Sequence, residues 1–166
     1  MKKIASYSVL LLLLIMMGFQ NEPVFNALYQ PIFMLRSDME NNVKFKGPEP
    51  IMEAGKIYLK DKFIFINEKY RGIHVIDNSN PENPANAAFI SIDGCIDMAV
   101  KGNILYADNA VDLIAIRFNL ELTTIEVTGR TRNVFPELIS PDGRGLYWQE
   151  EQAKPDGAIL VKWVKR

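Results

Sequence analysis

The sequence predicts an all-β fold of about three four-stranded repeats, preceded by a lead-in that holds one short helix. From residue 55 onward, short runs of β-branched, aromatic and aliphatic residues alternate with turn residues, as is typical of strands joined by tight connections. Two of these runs return at one spacing, because Phe63 and Ile104 are 41 positions apart and so are Ile73 and Ile114. The 166-residue chain is 48% hydrophobic with 19 basic and 20 acidic residues, a balance typical of a globular protein.

The first repeat contains four strand candidates, at residues 56–59, 63–66, 73–76 and 88–92. Residues 61–62 form a turn and residues 67–72 form a polar loop. Residues 77–84 read DNSNPENP, and this composition predicts a tight connection because Asp, Asn and Ser bond their own backbone while Pro fixes φ.

The second repeat follows the same layout at residues 96–100, 104–107 and 113–116. A third, worn copy has a turn at 140–144, strands at 146–148 and 158–161, and a charged insertion at 149–157. Four strands in about 41 residues is the size of one β-propeller blade, and closed rings usually need about four to eight blades. Three repeats therefore leave open a ring fragment, an open stack and a small sandwich.

Residues 1–19 have the pattern of a signal peptide. Lys2 and Lys3 supply a basic start, and the 16 residues from 4 to 19 are nearly free of strong polar groups. This run is shorter than the roughly 20 residues that cross a bilayer, which favours export over a permanent N-terminal anchor. Gly18 is the one small residue near its end, so cleavage stays open. We expect export to the cell envelope, in the periplasm or in association with the outer membrane, with membrane contact only through this segment. Lipoprotein anchoring is doubtful because no cysteine lies at the end of the segment.

Residues 20–54 form a lead-in to the repeat domain at residues 55–166. Prolines at 23, 31, 48 and 50 interrupt regular elements in the lead-in. Ser37 and Glu40 match a capping box, which predicts a two-turn helix at residues 37–43 that lies as a strap over the repeats.

Composition excludes several kinds of site. A net charge of -1 with scattered basic residues does not favour nucleic-acid binding. Cys95 is the only cysteine and His74 the only histidine, so an internal disulfide, a cysteine cage and a paired-imidazole zinc site are excluded. We predict no cofactor. His74 lies in mid-strand with no nucleophile beside it, and acidic Asp93 and Asp97 would raise the pKa of the Cys95 thiol, so neither is assigned a catalytic role.

Oxygen-rich turns raise the question of calcium. Asp77, Asn78 and Asn80, with Glu82 and Asn83, are hard oxygen donors close together, but turn formation explains the same residues. The run at 108–112 (DNAVD) has the same two interpretations. Arginines 130, 132 and 144 are too dispersed for an anion site, and the tail at 161–166 suits either a lysine-guarded edge strand or contact with phospholipid headgroups.

Residues 72–84, GIHVIDNSNPENP, resemble the LVIVD repeat, in which an apolar strand ending in Asp is followed by an Asn-Pro turn. Residues 97–108 resemble the opening of the next such repeat, and residues 29–34 match the family's lead-in. Over most of residues 29–163 the chain is similar to the N-terminal part, or to a short member, of LVIVD-repeat envelope proteins of the Bacteroidetes type. This resemblance implies a propeller-like fold in the cell envelope and no enzymatic activity. Family members are typically lipoproteins that run on into further blades, and this chain departs from them in both respects.

The sequence therefore predicts a non-enzymatic envelope protein whose β-repeat scaffold binds another envelope protein or a glycan. Two alternatives stay open. A propeller-type hydrolase or lyase would need Asp77, Asp108 and Asp142 to converge on one axial pocket, within about 5–10 Å for glycoside hydrolysis. A degenerate, truncated paralogue would have no stable fold.

Overall fold

The computed structural model describes residues 27–119, 121 and 123–166, and within them eleven strands and two short helices. The predicted signal peptide at residues 1–19 lies outside the described residues. No helix in the described part of the chain is long and apolar enough to cross a bilayer. The elements are β1 (Tyr29–Leu35), α1 (Arg36–Asn41), β2 (Lys44–Lys46), β3 (Ala54–Lys60), β4 (Phe63–Glu68), β5 (Gly72–Asp77), β6 (Ala85–Ser91), β7 (Met98–Lys101), β8 (Ile104–Asn109), β9 (Asp112–Phe118), β10 (Ile125–Thr131), α2 (Trp148–Ala153) and β11 (Ala158–Lys165).

The strands form three antiparallel sheets. The first sheet has the order β2-β6-β5-β4-β3, the second sheet has the order β10-β9-β8-β7, and β1 pairs with β11 to form the terminal pair. In each large sheet, four strands that are consecutive in the chain pair with their neighbours, so each of the first two predicted repeats is one meander. The expected β-rich class is confirmed.

The pairing register corrects the repeat spacing at one strand. Phe65 faces Val75 in the first sheet, whereas Tyr106 faces Ala115 in the second. The β4 to β8 offset is thus 41 residues, but the β5 to β9 offset is 40. The cause is the hairpin connection, which has three residues between β4 and β5 and two between β8 and β9.

The third repeat is only partly correct. No strand forms at residues 146–148, because α2 begins at Trp148 and the Glu150 carboxylate accepts the backbone N–H of Tyr147 at 2.9 Å. The predicted strand at 158–161 is confirmed as part of β11, but it pairs with β1 rather than with a third meander. The sequence reading missed β1 because of Pro31, which a two-stranded pair tolerates since each strand has a free edge.

The predicted lead-in helix is confirmed as α1, but the predicted capping box is wrong. Leu35 occupies the N-cap position and Ser37 lies inside the helix. Glu40 binds the Arg132 guanidinium through two hydrogen bonds of 3.0 Å instead of capping the helix.

The main core lies between the two large sheets. The Phe65 and Phe118 rings from opposite sheets lie 5.7 Å apart. The terminal pair packs elsewhere: Leu160 and Trp163 contact a cluster with Tyr70, and Val161 contacts one with Ala110. Tyr70 and Ala110 lie in the β4–β5 and β8–β9 connections, so the terminal pair lies across the ends of both hairpins. The buried residues between the sheets are Phe63, Phe65, Ile73, Val75, Ala88, Ile90, Ile92, Cys95, Met98, Val100, Leu105, Ala107, Ile114, Ile116 and Phe118.

Candidate functional site: an apolar groove on the second sheet

A groove of about 600 Å³ lies between residues 135–139 and the side of the second sheet that faces away from the first sheet. Side chains alternate along β8, so Leu105 and Ala107 enter the core while Tyr106 and Asp108 point to the other side. Ala99 and Leu113 are the cross-strand neighbours of Tyr106 and Asp108, and both line the groove. The second sheet thus has a buried inner face and an outer face that forms the groove floor.

Residues 135–139 are held over this face by contacts at both ends. The backbone N–H of Phe135 donates to the Val111 carbonyl at 3.0 Å, next to the β8–β9 connection. Trp163 donates its indole N–H to the Leu138 carbonyl at 3.0 Å, and Leu138 is buried against this ring. Lys154 pairs with Glu137. The segment therefore forms a fixed wall of the groove.

Exposed apolar side chains line the groove. Tyr106 on the floor keeps 37% of its surface exposed, and the exposed residues Ile96, Phe135 and Ile139 surround it. Contiguous exposed apolar surface on a soluble domain is typical of an interaction site. Sequence reasoning missed this site because Tyr106 and Phe135 are 29 positions apart and no motif links them. The one signal in the sequence was that Tyr106 lies between Leu105 and Ala107. If these two residues enter the core, alternation places the Tyr106 ring on the opposite face of the strand.

Charged groups of both signs lie on the rim. Asp97 pairs with Lys56, and more than half of each side chain is exposed. The Lys69 ammonium lies 5.0 Å from the centroid of the Tyr70 ring. These charges flank the apolar floor and leave it open to a partner.

The carboxylate of Asp108 is engaged by backbone. It accepts the N–H groups of Ile96 at 2.9 Å and Asp97 at 2.8 Å. Burial raises the pKa of Asp108, and these backbone hydrogen bonds oppose the shift. Asp108 thus anchors the chain segment that leads into β7.

Cys95 is a buried free thiol whose pKa is well above the usual range, first because of burial and then because of the Asp108 carboxylate. The expected direction of this shift is correct, but the acid responsible is Asp108 rather than Asp93 or Asp97. Asn67 donates its amide N–H to Cys95 Sγ at 3.3 Å. The protonated thiol is a packed core group, since it is fully buried.

His74 lies on the far side of the first sheet, away from the groove. Its Nε2 is 3.1 Å from Glu68 Oε2, and both side chains are buried. Glu68 also accepts the backbone N–H groups of Met52 at 3.0 Å and Glu53 at 2.7 Å. Burial acts to raise the pKa of Glu68, but these N–H groups and His74 outweigh it and lower the pKa. The pair holds the chain that enters β3, a role that sequence reasoning missed by assigning Glu68 to a solvated loop.

The three acids proposed for an axial active site lie in separate places. Asp77 accepts the backbone N–H of Ser79 at 2.8 Å and its hydroxyl at 2.6 Å, and Asp142 lies 3.8 Å from Arg144 Nε. Among the three, Asp108 alone lines the groove. This arrangement does not favour the hydrolase alternative.

The predicted oxygen-rich turn is held by its own hydrogen bonds. Asn80 accepts the backbone N–H of Glu82 at 3.2 Å, as expected for turn formation. Asp112, at the end of the second such run, is fully buried and pairs with Arg36 and Arg130. In the described part of the chain, no three His, Cys, Asp or Glu side chains are grouped so that they could hold a metal ion.

Comparison with protein-family models, with curated proteins and with solved structures finds no match for this chain.

Proposed function

We propose that this chain is a non-enzymatic binding module of the cell envelope, whose groove on the second sheet receives an apolar segment of a protein partner. The observation that carries the proposal is the set of exposed apolar side chains around one fixed groove, with Tyr106 on its floor and Phe135 on its wall. Binding sites are typically concave and mostly apolar, with a few polar groups that orient the ligand.

The contacts between the two meanders support a blade-like arrangement of the repeats. Lys56 on β3 and Asp97, which directly precedes β7, are 41 positions apart and form an ion pair between the first strands of the two meanders. The Tyr58 hydroxyl donates to the Val100 carbonyl at 3.1 Å across the same junction. Side-by-side first strands are what we expect of neighbouring propeller blades, in which repeats stack around an axis.

A protein is a better candidate than a glycan for this groove. The floor and wall are mainly apolar, with Tyr106, Leu113 and Phe135 among them, and the charged residues of the lining are Lys69, Asp97, Asp108 and Glu137. A glycan needs several polar groups that are free to bond its hydroxyls, whereas Asp108 on this floor already accepts backbone N–H groups. Apolar and aromatic side chains of a protein match the floor without leaving polar groups unpaired.

The envelope location rests on the sequence. Residues 1–19 have the basic start and apolar run of an export signal, and residues 72–84 resemble the LVIVD repeat. Proteinase treatment of intact cells, with lysed cells as the control, tests this part of the proposal.

Site-specific photo-cross-linking tests the groove. Full-length chains carrying p-benzoylphenylalanine in place of Phe135 or Tyr106 are irradiated in the cells that make the protein. The matched control carries it at Trp148, which is 72% exposed on α2 and is not among the groove residues. We expect discrete protein adducts from both groove positions and none from Trp148. Absence of adducts at both groove positions would reject the proposed site.

A further inference from the structure

Each large sheet has an inner face that packs in the core and an outer face turned away from it. On the first sheet the inner face includes Tyr58 and Phe65, which are cross-strand neighbours, and the outer face includes Ile57 and Leu59 on the alternate positions of β3. On the second sheet the inner face includes Val100 and Leu105, and the outer face includes Ala99 and Tyr106.

The repeat offset exchanges these faces. Adding 41 carries the inner-face residue Phe65 to the outer-face residue Tyr106. It equally carries outer-face residues of the first sheet to inner-face residues of the second. The four pairs on the first two strands are Ile57 with Met98, Leu59 with Val100, Ile64 with Leu105, and Ile66 with Ala107.

The outer face of the first sheet therefore has apolar side chains at the positions that are buried in the second sheet. Met98 and Val100 are buried between the sheets, but their counterparts Ile57 and Leu59 are 66% and 64% exposed. Residues 47–53 cover part of this face, since Glu49 binds Arg71 and Asn86 while Glu68 holds Met52 and Glu53. The β3 side of the face stays open. Its aliphatic side chains lack the neighbouring sheet that their counterparts have.

The outer face of the second sheet is the surface that complements the outer face of the first sheet. It corresponds to the inner face of the first sheet, with Tyr106 in the place of Phe65, and it forms the groove floor. We infer that the protein partner of the groove is a second copy of this chain, whose first sheet docks through its outer face on the outer face of the second sheet. This inference rests on the proposed function, because it names the partner of the same groove.

The contacts inside one copy predict those between copies. In the Tyr58–Val100 contact, the residue 41 positions after Tyr58 is Ala99, and the residue 41 positions before Val100 is Leu59. The equivalent contact between copies therefore places Ala99 of one copy opposite Leu59 of the next. The same shift of the Lys56–Asp97 ion pair places Asp97 of one copy opposite Lys56 of the next copy, so the charges across this interface are complementary. The interface is head to tail and closes into a ring if the rotation allows. Closed rings of about four to eight blades correspond to about two to four copies with two sheets each.

Cysteine cross-linking between two differently marked chains tests this geometry. Full-length Leu59→Cys and Ala99→Cys chains, with different epitope tags, are produced together, and isolated membranes are treated with a short bismaleimide. Cys95 stays in place because its thiol is buried, and the parent chain is the blank. We expect a cross-linked species that carries both tags and at least a tenfold lower yield when Glu82→Cys, on an exposed turn, replaces Leu59→Cys.

Two outcomes overturn the inference. One is no mixed-tag product above the Glu82→Cys control. The other is efficient cross-linking of Leu59→Cys to itself, which indicates a symmetric contact rather than a head-to-tail one. If either occurs while photo-cross-linking at Tyr106 captures a different protein, the proposed function stands and only the identity of the partner is wrong. If Tyr106 and Phe135 capture nothing, both fail.

Discussion

Glu68 and Asn109 are 41 positions apart, and each side chain reaches back to the segment that precedes its own repeat. Glu68, at the end of β4, accepts the backbone N–H groups of Met52 and Glu53. Asn109, at the end of β8, donates its amide N–H to the Asp93 carbonyl at 2.7 Å, and Asp93 follows Met52 by 41 positions. At this position, both meanders thus have a side chain that bonds the backbone of the preceding segment and acts as a tether. Glu68 is the acceptor in the first meander, and Asn109 is the donor in the second.

We expect Glu68→Ala to lower the free energy of unfolding by about 3 kcal/mol, because it leaves the buried His74 ring and two part-buried backbone N–H groups without their partner. Urea denaturation followed by tryptophan fluorescence measures the change. Glu126→Ala is the matched control, since its ion pair with Arg117 is exposed and is expected to contribute less than about 1 kcal/mol. Equal effects of the two substitutions would contradict the tether.

Stability should fall in acid, in part because of Glu68. The pKa of Glu68 is lower in the folded chain than its unfolded value of about 4.3, so its contribution is fully present above that pH and is lost as the pH falls through the folded pKa. We expect Glu68→Gln to lose less stability than the parent chain between pH 6 and pH 3. Denaturation curves at both pH values measure the difference. Identical losses would show that Glu68 does not contribute to the acid sensitivity.

Gly72 and Gly102 should respond differently to alanine. Both have positive φ, at 143° and 59°, but a Cβ at Gly72 would lie 2.0 Å from the Ile90 carbonyl oxygen, whereas no atom lies within 4 Å of one at Gly102. We expect Gly102→Ala to cost about 1 kcal/mol and Gly72→Ala to cost more than about 3 kcal/mol, because β5 must move away from β6. Thermal unfolding monitored by circular dichroism compares them. A similar melting temperature for the two variants would contradict the close approach of these strands.

Phe65 and Tyr106 occupy the same repeat position on opposite kinds of face. We expect Phe65→Ala to cost about 3–5 kcal/mol because it leaves a cavity in the core. Tyr106→Ala should cost less than about 1.5 kcal/mol, because the side chain is partly exposed, while it weakens partner capture in the groove. Urea denaturation of both variants and photo-cross-linking at Phe135 in the Tyr106→Ala chain give the two measurements. A large stability loss in Tyr106→Ala would make Tyr106 a core residue rather than a binding one.

Seven of the eight strands of the two meanders were predicted, because their signals are local, whereas β10 was not predicted. Alternating apolar residues and turn-forming residues determine each strand and each tight connection within a few positions. The third repeat failed for the opposite reason. Residues 146–148 continue the 41-residue spacing, but the contacts of Glu150 with Arg144 and with the Tyr147 backbone favour α2 at this place. Pairing of β1 with β11 joins residues more than a hundred positions apart, and no local pattern predicts it.

The sequence by itself determined that the chain alternates strands and turns, and which side chains of a strand share a face. Only the tertiary structure decided which of the two faces is covered. Phe65 and Tyr106 occupy the same position at an offset of 41 residues, yet Phe65 is buried by the second sheet and Tyr106 is left in a groove. The physical reason is that burial depends on the surface that packs against a face. The hydrophobic effect is non-directional, so the residues of one strand do not specify which surface will cover them.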